Sequence, residues 1–113
     1  VVVLAQPMNE DQFLVKPYLQ FSTQNGMYVL WETKTNATSR VDFGEARWNV
    51  PQAVLDRSVK LDGTRLMHEL FLNDLKPETN YFWQVTAVTE KGDTLRTPVY
   101  TFKTAVQDSS AYL

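Results

Sequence analysis

The sequence predicts an all-β protein with the architecture of a seven-stranded antiparallel β-sandwich. No window of helical length keeps an apolar stripe with a helical period, and short alternating or β-branched runs recur between turn-forming residues. The segment from Leu75 to Tyr81 has the composition of a tyrosine corner. In that motif the tyrosine ring fills the core and its hydroxyl bonds nearby backbone. Short strands with this spacing of turns favour two packed sheets over a barrel.

Turn residues and residue alternation define each strand in order. An Asn25-Gly26 turn separates the first two runs, and Gly44 ends the third. Asp62-Gly63 turns the chain between the fourth and fifth runs, and Lys91-Gly92-Asp93 forms the hairpin between the last two. The predicted strands span residues 14–21, 27–33, 39–43, 54–61, 65–72, 80–89 and 98–104. We call the layer formed by the first, second and fifth of them sheet 1.

Composition limits the classes of protein to which the chain can belong. The 113 residues fit one domain, and the 43% of apolar residues can fill its core without a metal or a disulfide. Because cysteine is absent, thiolate catalysis and thiolate metal sites are excluded. The 11 Lys and Arg residues against 13 Asp and Glu residues include no basic run, which argues against a nucleic-acid partner. No apolar segment approaches the roughly 20 residues that cross a bilayer.

Two aromatic landmarks carry a resemblance to a known fold. Trp31 in the second predicted strand and Tyr81 at the start of the sixth match the core landmarks of the fibronectin type III fold, an immunoglobulin-like sandwich, and the likeness runs from about residue 13 to 105. Within that class, the order and spacing of several motifs resemble the N-terminal domain of purple acid phosphatases. These motifs are Lys16-Pro17-Tyr18-Leu19-Gln20, the run from Met27 to Thr33, Val41-Asp42-Phe43-Gly44, His68-Glu69-Leu70, the run from Leu75 through Pro77 to Tyr81, and the run from Tyr100 to Ala105.

The resemblance implies a function for the chain. In that family a following metallophosphoesterase domain performs catalysis with a two-metal centre. The chain is then expected to be a non-catalytic accessory domain that binds no cofactor or metal itself and packs against its own downstream catalytic domain. A homodimer formed through the parent enzyme is compatible with the same resemblance. An extracytoplasmic location, secreted or periplasmic, is also implied.

Three segments follow from this interpretation. We expect residues 1–12 to be a leader or signal-peptide remnant, 13–105 the sandwich and 106–113 a linker towards a C-terminal domain. The apolar run from Val1 to Ala5 fits the tail of a cleaved export signal, and it fits a plain apolar leader equally well.

The residues themselves offer no catalytic constellation. A two-metal hydrolase needs several carboxylate and imidazole ligands close together, whereas the chain has one histidine, His68, and scattered carboxylates. A catalytic histidine also requires a positioned proton partner beside a nucleophile or metal. We therefore interpret His68 as a structural residue and expect no enzymatic activity. Asn36-Ala37-Thr38 matches the glycosylation acceptor pattern in the predicted loop after the second strand, but such triplets arise often by chance.

One outer face carries candidate contact residues. If Trp31 points into the core, alternation turns Tyr28 and Leu30 outwards, and the same rule turns Phe71 outwards on the neighbouring strand. With Tyr18 they form a connected apolar patch on sheet 1, which suggests a contact surface. Scattered surface aromatics are the alternative interpretation.

A second function remains open at this level. The chain also fits a free-standing fibronectin-like module that binds a protein or a glycan. It would use either the patch on sheet 1 or Trp48, a loop aromatic that stacks on a sugar or else covers the open edge of the core.

Overall fold

The computed structural model describes residues 12–20, 25–47, 49–50 and 52–105, and it confirms an all-β fold. The expected leader, apart from its last residue, and the expected linker 106–113 lie outside the described residues. Within the described ranges, no helix is long and apolar enough to cross a membrane. The strands are β1 (Phe13–Gln20), β2 (Met27–Glu45), β3 (Arg57–Leu72), β4 (Asn80–Val88), β5 (Thr94–Arg96) and β6 (Tyr100–Lys103).

Two long strands pass from one sheet to the other. Residues 28–33 of β2 pair with β1 and 27–32 pair with 67–72 of β3, whereas 39–43 pair with 57–61 of β3 and 40–45 with β4. Sheet 1 is therefore β1 with the first part of β2 and the last part of β3. Sheet 2 contains the remaining parts of β2 and β3 with β4, β5 and β6. The predicted second and third strands are one continuous strand, as are the predicted fourth and fifth.

The core lies between the two sheets and is built by period-two alternation. Trp31 and Tyr81, the two predicted landmarks, are 2% and 3% exposed. Burying a large apolar side chain contributes roughly 1.5–3 kcal/mol, so this core is the main source of stability. Its members are Phe13, Met27, Val29, Trp31, Ala37, Val41, Phe43, Leu70, Leu72, Leu75, Tyr81, Trp83, Val85, Ala87, Leu95 and Phe102.

The tyrosine corner is formed where the turn before β4 meets the end of β6. The backbone N–H of Lys76 donates to the Tyr81 hydroxyl at 2.8 Å. Thr79 and Thr104 exchange backbone and side-chain bonds, and the N–H of Glu78 donates to the carbonyl of Ala105 at 3.0 Å. The chain therefore leaves sheet 2 at a point that the corner holds in place. We call this region the corner end.

Gly44 does not end a strand, contrary to the sequence prediction. β2 continues to Glu45, and Gly44 pairs with Phe82. A Cβ at this position would lie 1.8 Å from the carbonyl oxygen of Val54. The glycine is required because the segment after β2 passes directly against the strand.

The structure contains a short strand, β5, that the sequence did not predict, ahead of the last predicted strand (98–104), which corresponds to β6. Both β5 and β6 pair with β4, but Pro98 lies between them and has no N–H to continue the ladder. Thr97 bridges the gap, since its N–H donates to the Val85 carbonyl and its hydroxyl accepts from the Val85 N–H, both at 3.1 Å. The sheet keeps its backbone groups paired across the break.

Candidate functional site

The outer face of sheet 1 is covered by three rows of side chains from three strands. Residues that pair across antiparallel strands lie on the same side of a sheet, so the register identifies the members of each row. The rows, read from β1 through β2 to β3, are Gln20, Tyr28 and Phe71; Tyr18, Leu30 and Glu69; and Val15, Glu32 and Met67.

The four residues predicted for the contact patch lie together on this face. Tyr28 and Phe71 are cross-strand partners whose ring centroids are 4.7 Å apart, and Tyr18 pairs with Leu30 in the next row. Tyr18 and Phe71 are exposed, while Tyr28 and Leu30 are half-buried. The placement is that of a connected surface, and its role as an interface stays a prediction.

A depression of about 160 Å³ opens on the same face. Met67 lies beside it and is 74% exposed, and Val15 on the opposite side is also exposed. Because side chains alternate along β3 and His68 points inwards, the sequence predicts that Met67 faces outwards. The outward position of Val15 could not be predicted, because register shifts in β1 change the side that its residues face. The lining residues are Val15, Tyr18, Leu30, Trp31, Glu32, Met67, His68 and Glu69.

The charged groups of the depression are acidic. Glu32 and Glu69 contribute two carboxylates, and no lysine or arginine among the described residues lines the depression. Within the described part of the chain neither carboxylate forms a salt bridge, whereas Arg40 and Asp42 on sheet 2 pair at 3.0 Å. The face thus combines exposed apolar side chains with negative charge that the described residues do not neutralise.

His68 is buried beneath this face and takes part in the core. It is 2% exposed and stacks on Trp31, with ring centroids 4.8 Å apart and an interplanar angle of 3°. The Thr33 hydroxyl donates to the Thr35 carbonyl at 2.7 Å, so its oxygen accepts from His68 Nε2–H at 3.0 Å. The Ser39 hydroxyl in turn donates to Nδ1 at 2.7 Å. Both ring nitrogens are therefore used within the fold.

The surroundings of His68 favour the neutral ring. Burial lowers the pKa of His68 from 6.5 to about 4, and the positive charge of Arg65 acts in the same direction, partly offset by a hydrogen bond to the Arg65 backbone. Among the described residues no three His, Cys, Asp or Glu side chains group together to hold a metal. The burial and hydrogen bonds of His68 are those of a core residue.

Two further sequence candidates have different outcomes. Asn36 lies within β2 and not in a loop, because the strand continues through the bend, and its carbonyl accepts from the N–H of Glu90 at 3.2 Å. Its side chain is exposed. Trp48 lies outside the described residues, so its contact with a glycan stays a prediction.

Comparison with protein families identifies the domain. The family model for the N-terminal domain of purple acid phosphatase matches residues 15–104, which is nearly the whole sandwich. The chain belongs to the purple acid phosphatase N-terminal domain family. The resemblance carried by its motifs is thereby confirmed. Among curated proteins none matches the sequence significantly.

Solved structures place this family member in the fibronectin type III fold. A myokine structure aligns with a TM-score of 0.63 at 19% identity, covering 80% of this chain and 94% of the other. The third fibronectin III domain of human KIAA0343 protein aligns with 0.59 at 14%, covering 98% of both chains. The fibronectin type III domain of human fibronectin type III domain containing protein 3 gives 0.56 at 16%, covering 84% and 86%. At these identities the likeness shows the fold alone.

The chain is thus a fibronectin-like domain of the purple acid phosphatase N-terminal family, and these findings support an accessory domain. Its functional residues must be sought on its surfaces. In the described part of the chain, the outer face of sheet 1 is the surface on which exposed apolar side chains, unneutralised charge and a depression coincide.

Proposed function

We propose that this chain is the accessory domain of a metal-dependent phosphoesterase of the purple acid phosphatase type, and that it packs against the catalytic domain and supports it. The family match over residues 15–104 carries this proposal. The two-metal centre belongs to the catalytic domain, which holds all residues that touch the substrate. An extracytoplasmic location is part of the same proposal.

The corner end supports a role in orienting a following domain. Residues 104 and 105 are tied to the turn before β4 by the bonds of Thr104 to Thr79 and of Ala105 to Glu78. Whatever follows residue 105 therefore starts from a fixed position on the sandwich. A fixed attachment point reduces the orientations that a neighbouring domain samples, and it lowers the entropic cost of packing against it.

The first test is the coding sequence beyond Leu113. We expect a region with dense Asp, His and Asn motifs that supply a two-metal site. A stop codon at that position, or a downstream region without such motifs, contradicts the proposal.

The second test compares the complete gene product with a deletion that lacks residues 13–105. We expect the phosphatase domain alone to melt about 5 °C lower or more and to hydrolyse a phosphomonoester more slowly, because it loses a packed neighbour. The matched control replaces residues 13–105 with an unrelated fibronectin type III domain, which should not restore stability or rate. Equal stability and rate with and without residues 13–105 would refute a supporting role.

A free-standing binding module is the second candidate, and the exposed Met67 beside the depression favours it. The 113-residue chain should then bind a protein or glycan by itself. Titration against candidate ligands, with Tyr28→Ser and Trp48→Ala variants alongside, separates the outer face of sheet 1 from the predicted loop contact. Absence of binding to every candidate counts against this function.

A further inference from the structure

We propose that the outer face of sheet 1 is the surface that binds the catalytic domain, and that the central contact is a lysine or arginine of that domain seated between Glu32 and Glu69. The inference rests on the proposed function and adds the surface and the chemistry of the partner. Three properties of the face carry it: the size of the depression, its charge and the side chains around it.

The depression has the size of a socket for one side chain. Its volume is about 160 Å³, whereas pockets for small molecules usually measure roughly 300–1,000 Å³. It lies on a sheet face and is open to solvent, so a protein surface can reach it without rearrangement of the strands. A single protruding side chain fills such a depression in the way that interface anchors fill pockets on a partner.

The charge of the depression selects a cationic partner. Covering Glu32 and Glu69 with an apolar surface leaves two carboxylates without water and without a counter-charge, which is unfavourable. No lysine or arginine of the described residues lines the depression, and the ring of His68 beneath it is buried and bonded within the fold. The counter-charge must therefore come from the partner.

The same charge disfavours a second copy of this domain as the occupant. A two-fold dimer brings the same patch of both subunits together, so residue i of one copy meets the patch that contains residue i of the other. Glu32 and Glu69 of both copies would then lie in one interface, which would hold four carboxylates. Like charges so placed oppose association.

The side chains around the depression suit a protein partner. Tyr18, Tyr28, Phe71 and Met67 belong to the residue types that are enriched in protein interfaces. On sheet 2, by contrast, central polar groups are already satisfied, because Arg40 pairs with Asp42 and the Gln84 amide donates to the Thr97 carbonyl at 2.8 Å. Covering the outer face of sheet 1 with a partner is therefore more favourable than covering that of sheet 2.

Site-specific photo-crosslinking in the complete gene product tests the location. A photoreactive phenylalanine analogue replaces Met67, and the matched control carries it at Val88, which is exposed on sheet 2. We expect the probe at position 67 to crosslink to the catalytic domain of the same polypeptide with at least tenfold higher yield than the probe at 88. Crosslinks between two copies of the fibronectin-like domain, or equal yields at both positions, overturn the proposal.

Charge reversal tests the cation. The double variant Glu32→Lys with Glu69→Lys should reduce the crosslinking yield from position 67 at least tenfold, and Glu32→Gln with Glu69→Gln should reduce it less. The control Asp93→Lys adds a positive charge at the exposed β4–β5 turn and should change nothing. An unchanged yield in the Lys variant overturns the cationic contact. If circular dichroism shows that this variant is unfolded, an unchanged yield in the folded Gln variant has the same meaning.

The outcomes distinguish this inference from the proposed function. If deletion of residues 13–105 weakens the phosphatase domain while position 67 does not crosslink to it, the domain supports its partner through another surface, and the inference is wrong. If the deletion has no effect, the supporting role itself is wrong, whatever position 67 contacts.

Discussion

The two ends of the sandwich hold the chain by different chemistry. At the corner end, the Tyr81 hydroxyl and Thr104 bind backbone groups through neutral hydrogen bonds. At the opposite end, β2 and β3 change sheets around the buried imidazole of His68, which bonds Thr33 and Ser39 on either side of the bend. We call that region the bend end. Because of this difference, we expect acid to destabilise the bend end before the corner end. The imidazole of His68, which holds the bend end, takes up a proton as the pH falls.

Removing the imidazole should have the largest effect. The substitution His68→Ala empties a site that is 2% exposed and takes away the partners of two buried hydroxyls. We expect a loss of about 4 kcal/mol in the free energy of unfolding, measured by urea denaturation. The control Lys60→Ala changes an exposed residue of the same strand and should stay within about 0.5 kcal/mol. A loss below about 1 kcal/mol for His68→Ala would show that the bend does not depend on the ring.

Acid should weaken the bend end by a similar amount. The pKa of His68 is lowered from 6.5 to about 4, so the folded state binds fewer protons than the unfolded state between these two values. The contribution of His68 to stability is therefore complete above pH 6.5 and is lost as the pH drops to 4. We expect the free energy of unfolding to fall by about 3 kcal/mol, because a tenfold change in proton affinity corresponds to about 1.4 kcal/mol.

Hydrogen exchange locates this acid effect. Amides of residues 33–39 and 62–68 should lose protection at a higher pH than the amides of the corner end. Between pH 6.5 and 4, the free energy of unfolding of His68→Ala should fall by about 3 kcal/mol less than that of the unsubstituted protein. Uniform loss of protection at both ends would contradict the comparison.

At the corner end, the substitution Gly44→Ala should be the most damaging. The added Cβ would lie 1.8 Å from the Val54 carbonyl oxygen, and a backbone atom cannot move aside as a side chain can. We expect a loss of about 2 to 3 kcal/mol that does not vary with pH, measured by denaturation at about pH 7 and about pH 5. The control Gly92→Ala has open space around the new Cβ but a φ of +94°. It should therefore cost only about 1 kcal/mol.

The substitution Tyr81→Phe should have the smallest effect of the three test substitutions. It removes one hydrogen bond from the Lys76 N–H and leaves the packed ring in place. A loss of about 1 kcal/mol is expected, again independent of pH. Tyr100→Phe is the matched control, because the Tyr100 ring packs on Trp83 and its substitution tests the loss of a hydroxyl without the corner bond. Equal losses in both variants would mean that the corner bond contributes nothing.

The parts of the fold that could be predicted are those that depend on local patterns. Alternation places Trp31 inwards and Tyr28 outwards because side chains on a strand change sides at every residue. The tyrosine corner is likewise contained in one short segment, since its bond joins Lys76 to Tyr81 in the same turn. Local rules were also sufficient to find Phe71 on the patch.

The parts that could not be predicted depend on distant contacts. The bend in β2 is held by His68, which is 35 residues away from Thr33, so the sequence around Asn36 has the pattern of a loop although the strand continues. Val15 was missed because the register shifts in β1 have no compositional signature. Glu32 and Glu69 become one acidic site only after β2 and β3 pair, and no spacing along the chain predicts that juxtaposition.

The passage of β2 and β3 through both sheets has a mechanical consequence. The two layers are joined twice by continuous backbone, so they cannot be pulled apart completely while β2 and β3 keep their pairing in both layers. Force applied through residues 13 and 103 would act first on β1 and β6. In the described ranges β1 pairs only with β2, and β6 pairs only with β4. We therefore expect β1 and β6 to detach under load before β2 and β3 separate from each other.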